Sequence, residues 1–344
     1  MKRLHVLTLI SLGLAVVVFV AKKRNHTTIA AGEGLVLSKE WLVVNKTPQT
    51  PVADVRPADQ TFLTFPEWYL VFSPEEQADF YAHTTSTTFP FTTHTAQIWD
   101  SYKIGNNQIK DNFPPNKGYH FMIWVIGSSA SVEYTAKAWY ELVVGRLTDT
   151  TAPVTDEDRF NAKFTREYVD FINDLPWYQF DFGKRLGELW STTSFVGNNI
   201  FRKVERRYML TSELMIKYVY GKLIGMGTQQ VYDEALLTTV VILENDSVLH
   251  LSRYNRFAGA ATAIAKQGHS FKEIAGNNSA IMLTVLVDNN ASESFDGAEK
   301  VFTQLISSDP RWKRVALACP VSELDKLLLQ LDRQNVLVEH VFDY

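Results

Sequence analysis

The feature that most constrains this chain is an uninterrupted apolar run near its beginning. Residues Leu4 to Ala21 form 18 consecutive positions without Lys, Arg, Asp or Glu. As a helix rising 1.5 Å per residue, the run measures about 27 Å, enough to cross a slightly thin hydrocarbon core. Lys22, Lys23 and Arg24 follow it directly. The pattern predicts a transmembrane helix with basic flanks within residues 1–24.

Two interpretations of this segment stay open. A cleaved secretory signal needs a small-residue cleavage site close behind the apolar run, but the nearest candidate, Ala30-Ala31, lies beyond the basic cluster. The basic cluster instead favours an uncleaved signal-anchor and a single-pass membrane location. The flanking charges are nearly balanced, and the short tail before the run favours a body on the exported side.

The net charge is divided between this anchor and the rest of the chain. Residues 1–24 contain five basic residues and no acidic one. Because the whole chain carries −4, the remainder carries −9. An acidic body argues against nucleic-acid binding, which needs clustered positive charge. The expected partners are the lipid bilayer, through residues 4–21, and a protein or small ligand.

Behind the anchor the sequence divides into three parts. The proline-containing residues 25–60 are typical of a tether. Residues 61–235 have mainly helical patterns, and residues 236–344 alternate short β-branched runs with helical stretches in the order βαββαβ. The predicted class is therefore α+β: a transmembrane helix, a helical middle domain, and a C-terminal ferredoxin-like α/β sandwich with an extra βα extension.

Local signals place the individual elements. Ser73, Pro74 and Glu76 together form a helix-start pattern, with Ser73 as the capping residue. Further helices are predicted over 119–147, 155–175, 199–226, 255–267, 297–307 and 321–334, and strands over 247–252, 270–275, 280–287, 313–319 and 336–342.

Motifs for familiar kinds of catalysis are missing from the sequence. It contains no phosphate-binding loop, no dinucleotide-binding glycine pattern and no nucleophile elbow. No two of the eight histidines have the spacing of metal ligands on a helix, so neither a metal nor a cofactor is predicted. The candidate catalytic residues are Glu67, His94 and His120, which would form a carboxylate/histidine pocket if they converge. The alternative is that these histidines lie in the core or on the surface.

Two charged clusters lie on predicted helices. Arg202, Lys203, Arg206 and Arg207 form two rows on one helix face and are candidates for binding an anion or anionic lipid. Exposure to solvent, with Glu205 and other acids as partners, is the favoured interpretation of these residues. The stripe formed by Glu133, Lys137 and Glu141 is interpreted as a solvated face.

These patterns predict a single-pass membrane-anchored protein that acts at the membrane surface as a non-enzymatic binding or accessory protein. The alternative is a membrane-tethered enzyme with a carboxylate/histidine pocket in its helical domain. The lack of a catalytic motif favours the first.

Overall fold

A computed structural model describes residues 37–42, 47–56, 60–149, 154–228 and 237–344. Over these ranges the protein is α+β, with eight helices of ten or more residues and two antiparallel sheets, which confirms the predicted class. The predicted anchor 1–24 and the predicted domain boundary at residues 235 and 236 lie outside the described residues. None of the helices in these ranges combines the length and the apolar character needed to cross a membrane.

Six of the helices precede the sheets, and side-chain caps fix several of their starts. Thr155 accepts the backbone N–H of Asp158, and the Asp158 carboxylate accepts that of Thr155, a reciprocal capping box at the predicted start. Lys117–Tyr140 continues through a π-helical turn, Glu141–Gly145, into a last turn at Arg146–Asp149. The six are α1 Gln60–His83, α2 Phe91–Ile109, α3 Lys117–Tyr140, α4 Asp156–Ile172, α5 Phe182–Thr192 and α6 Ile200–Thr228.

The predicted helix start at Ser73 is wrong. Helix α1 begins at Gln60 and runs through both Pro66 and Pro74. An internal proline costs a helix about 3 kcal/mol. Burial of a large apolar side chain contributes about 1.5–3 kcal/mol, and α1 buries several on both sides of Pro66, including Phe62 and Trp68. Packing along the whole helix therefore outweighs the local stop signal.

The C-terminal elements are β1 Thr238–Leu243, β2 Val248–Ser252, α7 Asn255–Lys266, β3 Phe271–Ile274, β4 Ala280–Asp288, β5 Glu299–Leu305, β6 Trp312–Pro320, α8 Leu324–Arg333 and β7 Leu337–Val341. The strands form a three-stranded sheet in the order β2-β1-β3 and a four-stranded sheet in the order β5-β6-β4-β7. Strands β2 and β3 both pair antiparallel with β1, so they run parallel to each other, and helix α7 connects them. Strands β6 and β7 flank β4 in the same way and are connected by α8. Each sheet thus contains one split βαβ unit.

The predicted helix at 297–307 is wrong, because strand β5 occupies this segment and pairs with the edge of β6. Its apolar residues Val301, Phe302, Leu305 and Ile306 have a spacing that suits a helix. Long-range pairing with β6 overrides this local pattern, with a register shift between Lys300 and Phe302. The ferredoxin-like arrangement of a single sheet is accordingly not confirmed.

The helices and the second sheet share a hydrophobic core. Phe65 and Trp68 of α1 belong to the same buried cluster as Met282, Phe302 and Ala316 of that sheet. The Thr61 hydroxyl receives a hydrogen bond from the backbone N–H of Met282 at 3.0 Å, which fixes the start of α1 on β4.

Part of the predicted tether is packed on this body. Leu37 and Leu42 are buried in the shared cluster. The Glu273 carboxylate accepts hydrogen bonds from the backbone N–H groups of Gln49 and Thr50 at 2.9 and 2.8 Å.

Candidate functional site

The three candidate catalytic residues lie in separate surroundings. The Glu67 carboxylate accepts a hydrogen bond from the Tyr119 hydroxyl, and burial raises the pKa of Glu67. His120 Nδ1 lies 3.1 Å from the Tyr102 hydroxyl. Within the described residues no hydrogen bond or ion pair joins any two of Glu67, His94 and His120. The structure does not assemble them into one pocket.

His94 is the centre of a buried polar network. Its Nδ1 lies 2.7 Å from the Ser73 hydroxyl, and its Nε2 lies 3.4 Å from Glu76 Oε2. Burial lowers the pKa of His94 to about 3 and raises that of Glu76 to about 7. The order serine, histidine, carboxylate is that of nucleophilic catalysis, but Ser73 and His94 are each 0% exposed. A substrate cannot approach this serine, so the network has the character of a polar core.

Arg314 connects this network to the second sheet. Its guanidinium donates to both oxygens of Glu339 at 2.6 and 2.7 Å and to Glu76 Oε1 at 3.1 Å. It also lies over the Phe72 ring, 4.5 Å from the centroid. A buried cation with two carboxylate partners fixes the position of α1 relative to β6 and β7.

A groove lies where the segment 47–56 meets the ends of both sheets. Its volume is about 440 Å³, and Trp41, Gln49, Lys272, Glu273 and Ser322 are among the residues that line it. None of the candidate residues predicted from the sequence lines it. Elsewhere in the described ranges, no group of three or more His, Cys, Asp or Glu side chains is arranged to hold a metal ion.

The four basic residues proposed to contact an anion or lipid are not on the surface. The predicted basic face is wrong, because acids from the first turn of α4 and from the end of α3 pack against α6. Each cation is buried and paired with a carboxylate of the protein itself. The pairs are Arg202–Asp158 at 3.0 Å, Lys203–Asp156 at 3.2 Å, Arg206–Glu141 at 2.5 Å and Arg207–Glu157 at 2.6 Å.

The interpretation of Glu133, Lys137 and Glu141 as a solvated stripe is also wrong. Lys137 lies 2.9 Å from Glu133 and 2.8 Å from Glu213 of α6, and Lys217 lies 3.0 Å from Glu133. Burial alone would raise the pKa of Glu133, but the two ammonium groups outweigh it and lower that pKa to about 2. Lys137 and Glu141 are buried, and with the partly exposed Glu133 these charges join α3 and α6.

The outward faces of α3 and α6 are apolar. Between residues 200 and 226 the only exposed charged residue of α6 is Lys222, and between residues 119 and 149 the only one on α3 and its continuation is Arg146. We call the exposed apolar residues of these two helices the outer apolar surface. They are Phe121, Trp124, Val132, Trp139, Leu142, Val143 and Leu147 from α3 and its continuation, and Ile200, Phe201, Val204, Tyr208, Met215, Ile216, Tyr218, Val219, Leu223 and Met226 from α6.

This arrangement reverses the usual one for a helix on a water-soluble protein, which turns its apolar stripe inward and its charges outward. Phe201 is 87% exposed, whereas the neighbouring Arg202 is 1% exposed. Many large apolar side chains exposed along a helix indicate a site of protein or membrane interaction. Sequence reasoning missed this surface. The signal for it is the position of Phe201, Val204 and Tyr208 on the side of the helix opposite the cations.

Comparison of the chain with protein-family models, with curated proteins and with solved structures gave no match. The candidate functional site is therefore defined by its geometry, as the outer apolar surface.

Proposed function

We propose that this chain is a single-pass membrane-anchored protein that acts at the membrane surface as a non-enzymatic binding or accessory protein. The observation that carries the proposal is the outer apolar surface, because it exposes many large apolar side chains on two helices that turn most of their charged side chains toward the protein. The predicted helix over Leu4 to Ala21 supplies the anchor.

The chemistry-bearing side chains support a non-enzymatic role. Ser73 and His94 are enclosed, and Glu67 and His120 have separate tyrosine partners. Turnover of a substrate by the purified full chain, lost in Glu67→Gln, would establish the enzymatic alternative instead.

Extraction of membranes at alkaline pH tests the anchor. The full chain should stay with the membrane pellet, and Leu12→Arg with Val16→Arg should release it, because each arginine at the centre of a membrane helix costs about 2.5–3.5 kcal/mol. His26→Arg with Thr27→Arg adds the same charge behind the basic cluster and should have no effect. Release of the unchanged chain by alkali would refute the anchor.

The body is proposed to lie on the exported side of the membrane. A reporter fused after Tyr344 that is active only outside the cytoplasm should give a signal. A signal from a reporter active only in the cytoplasm would reverse the orientation.

A further inference from the structure

We infer that the partner of the outer apolar surface is the lipid bilayer itself, with α6 lying parallel to the membrane plane and its apolar side chains among the headgroups and upper acyl chains. The inference rests on the proposed membrane anchor and names what the surface binds.

The length of α6 and the division of its side chains between two faces are the first observations that support this inference. Its 29 residues form a helix about 43 Å long at 1.5 Å per residue. Exposed apolar residues extend from Ile200 to Met226, almost its whole length. The opposite face carries ion pairs over residues 202–217, from Arg202 with Asp158 to Lys217 with Glu213. A helix with one apolar face and one charged face fits a bilayer interface, where the apolar face sinks about 5–10 Å.

The composition of the surface favours lipid over a protein partner. Protein interfaces that form and dissociate are about as apolar as ordinary protein surface and have a polar rim. Of the eleven exposed positions of α6 between residues 200 and 226, only Lys222 is charged. Trp190 donates a hydrogen bond to Thr211 of α6 at 3.2 Å and is itself 52% exposed. Tyr208 and Tyr218 lie on the exposed face of α6, and Trp and Tyr are enriched where membranes meet water.

The route of the chain places the body close to the bilayer. Leu37 donates its backbone N–H to Gln108 at 3.1 Å and packs in the cluster that contains Ile123 of α3. Only residues 25–36 separate this contact from the end of the basic cluster. Twelve residues reach at most about 40 Å. The chain therefore joins the body at Gln108 of α2, within about 40 Å of the proposed anchor.

The buried ion pairs determine the kind of lipid binding. Arg202, Lys203, Arg206 and Arg207 are paired with carboxylates of the protein, so they offer no positive field to an anionic headgroup. Burial of apolar area then drives the contact, and it should depend little on salt or on anionic lipid.

Depth measurement on the full chain tests the inference. Its only cysteine, Cys319, is buried, so Met215→Cys provides a single accessible thiol on α6, and Asn245→Cys provides the control in the exposed β1–β2 turn. Each variant is labelled with an environment-sensitive fluorophore and reconstituted into vesicles that contain brominated lipid. The label at 215 should shift to the blue and lose most of its fluorescence, equally in neutral and anionic vesicles, whereas the label at 245 should do neither.

Three results would overturn the inference. The first is a label at 215 that is not quenched, and the second is quenching of that label only in anionic vesicles. The third is a dimer crosslinked through residue 215 without quenching, which would make the surface an interface between two copies of the chain. Reconstitution needs only a working anchor, so these results would refute the lipid contact of α6 and leave the anchor in place. Alkaline release of the unchanged chain is a different result, and it would refute the proposed function.

A second measurement isolates the surface from the anchor. The Leu12→Arg, Val16→Arg chain, although released by alkali, should still float with vesicles at neutral pH through the outer apolar surface. Adding Met215→Glu and Val219→Glu should lower the partition coefficient by about tenfold or more, because two apolar side chains no longer enter lipid. The same flotation with and without these two substitutions would contradict the inference.

Discussion

Removing the cation of one buried ion pair tests whether buried ion pairs stabilise the helical part of the protein. Arg206 donates to both oxygens of Glu141 at 2.5 and 3.0 Å, to Glu205 at 2.6 Å and to the Ser86 hydroxyl at 2.8 Å. The side chains of Arg206 and Glu141 are 3% and 5% exposed. Arg206→Met keeps most of the apolar stem and removes the charge, leaving the carboxylate buried without its main partner.

The expected loss of unfolding free energy is about 3–5 kcal/mol, the usual cost of breaking a buried pair from one side. Arg159→Met is the matched control, because Arg159 is 63% exposed and pairs with the exposed Asp156. An exposed pair contributes about 0–1 kcal/mol. The measurement is urea unfolding of the full chain in detergent micelles, followed by circular dichroism.

The double variant Arg206→Met, Glu141→Leu separates the lost pair from simple misfolding. Replacing both partners by apolar side chains of similar size is often neutral or stabilising, so the double variant should recover most of the loss. A loss no greater than that of Arg159→Met would refute stabilisation by buried ion pairs.

Three further predictions concern other parts of the fold. Gly145→Ala should lower the unfolding free energy in urea by about 1–3 kcal/mol, because its new methyl carbon would lie 2.0 Å from a carboxylate oxygen of Glu141. Gly187→Ala, whose methyl carbon meets no atom within 4 Å, should instead stabilise the protein by about 0.5–1 kcal/mol. Equal effects of the two substitutions would contradict this prediction. Glu273→Gln should speed hydrogen exchange of the backbone amides of Gln49 and Thr50, which donate hydrogen bonds to the Glu273 carboxylate. Unchanged exchange would show that other contacts hold the segment 47–56 on the body. Burial lowers the pKa of His340 to about 3, below the ordinary 6.5, so its contribution to stability is full above about pH 6.5 and is lost as the pH falls toward 3. His340→Phe should therefore reduce the pH dependence of the unfolding free energy by up to about 1.4 kcal/mol per pH unit. An unchanged pH dependence in this variant would contradict the prediction.

Local signals were sufficient where the surrounding structure agrees with them. The capping box at Thr155 starts α4 as predicted, and the strands predicted over 280–287 and 313–319 lie within β4 and β6. They were insufficient at Ser73 and at 297–307, where the packing of α1 and the pairing of β5 with β6 override the local pattern. Both errors concern residues whose conformation depends on partners far away along the chain.

The candidate site shows the same limit. Glu67, His94 and His120 were chosen by residue type and predicted domain, but convergence is a three-dimensional property that residue type does not encode. The direction of each amphipathic face was also chosen from experience of water-soluble helices, and this choice was reversed for both α3 and α6.

The sequence by itself determined that the chain has a long apolar run, Leu4 to Ala21, and that α6 divides charged from apolar side chains between two faces. Only the tertiary structure decided which face of α6 turns inward. The reason is that the carboxylates that make burial of Arg206 and Arg207 favourable come from Glu141 and Glu157, 65 and 50 residues away. A buried charge is tolerated only beside its partner, so the fold that brings these acids to α6 also turns its apolar side chains outward.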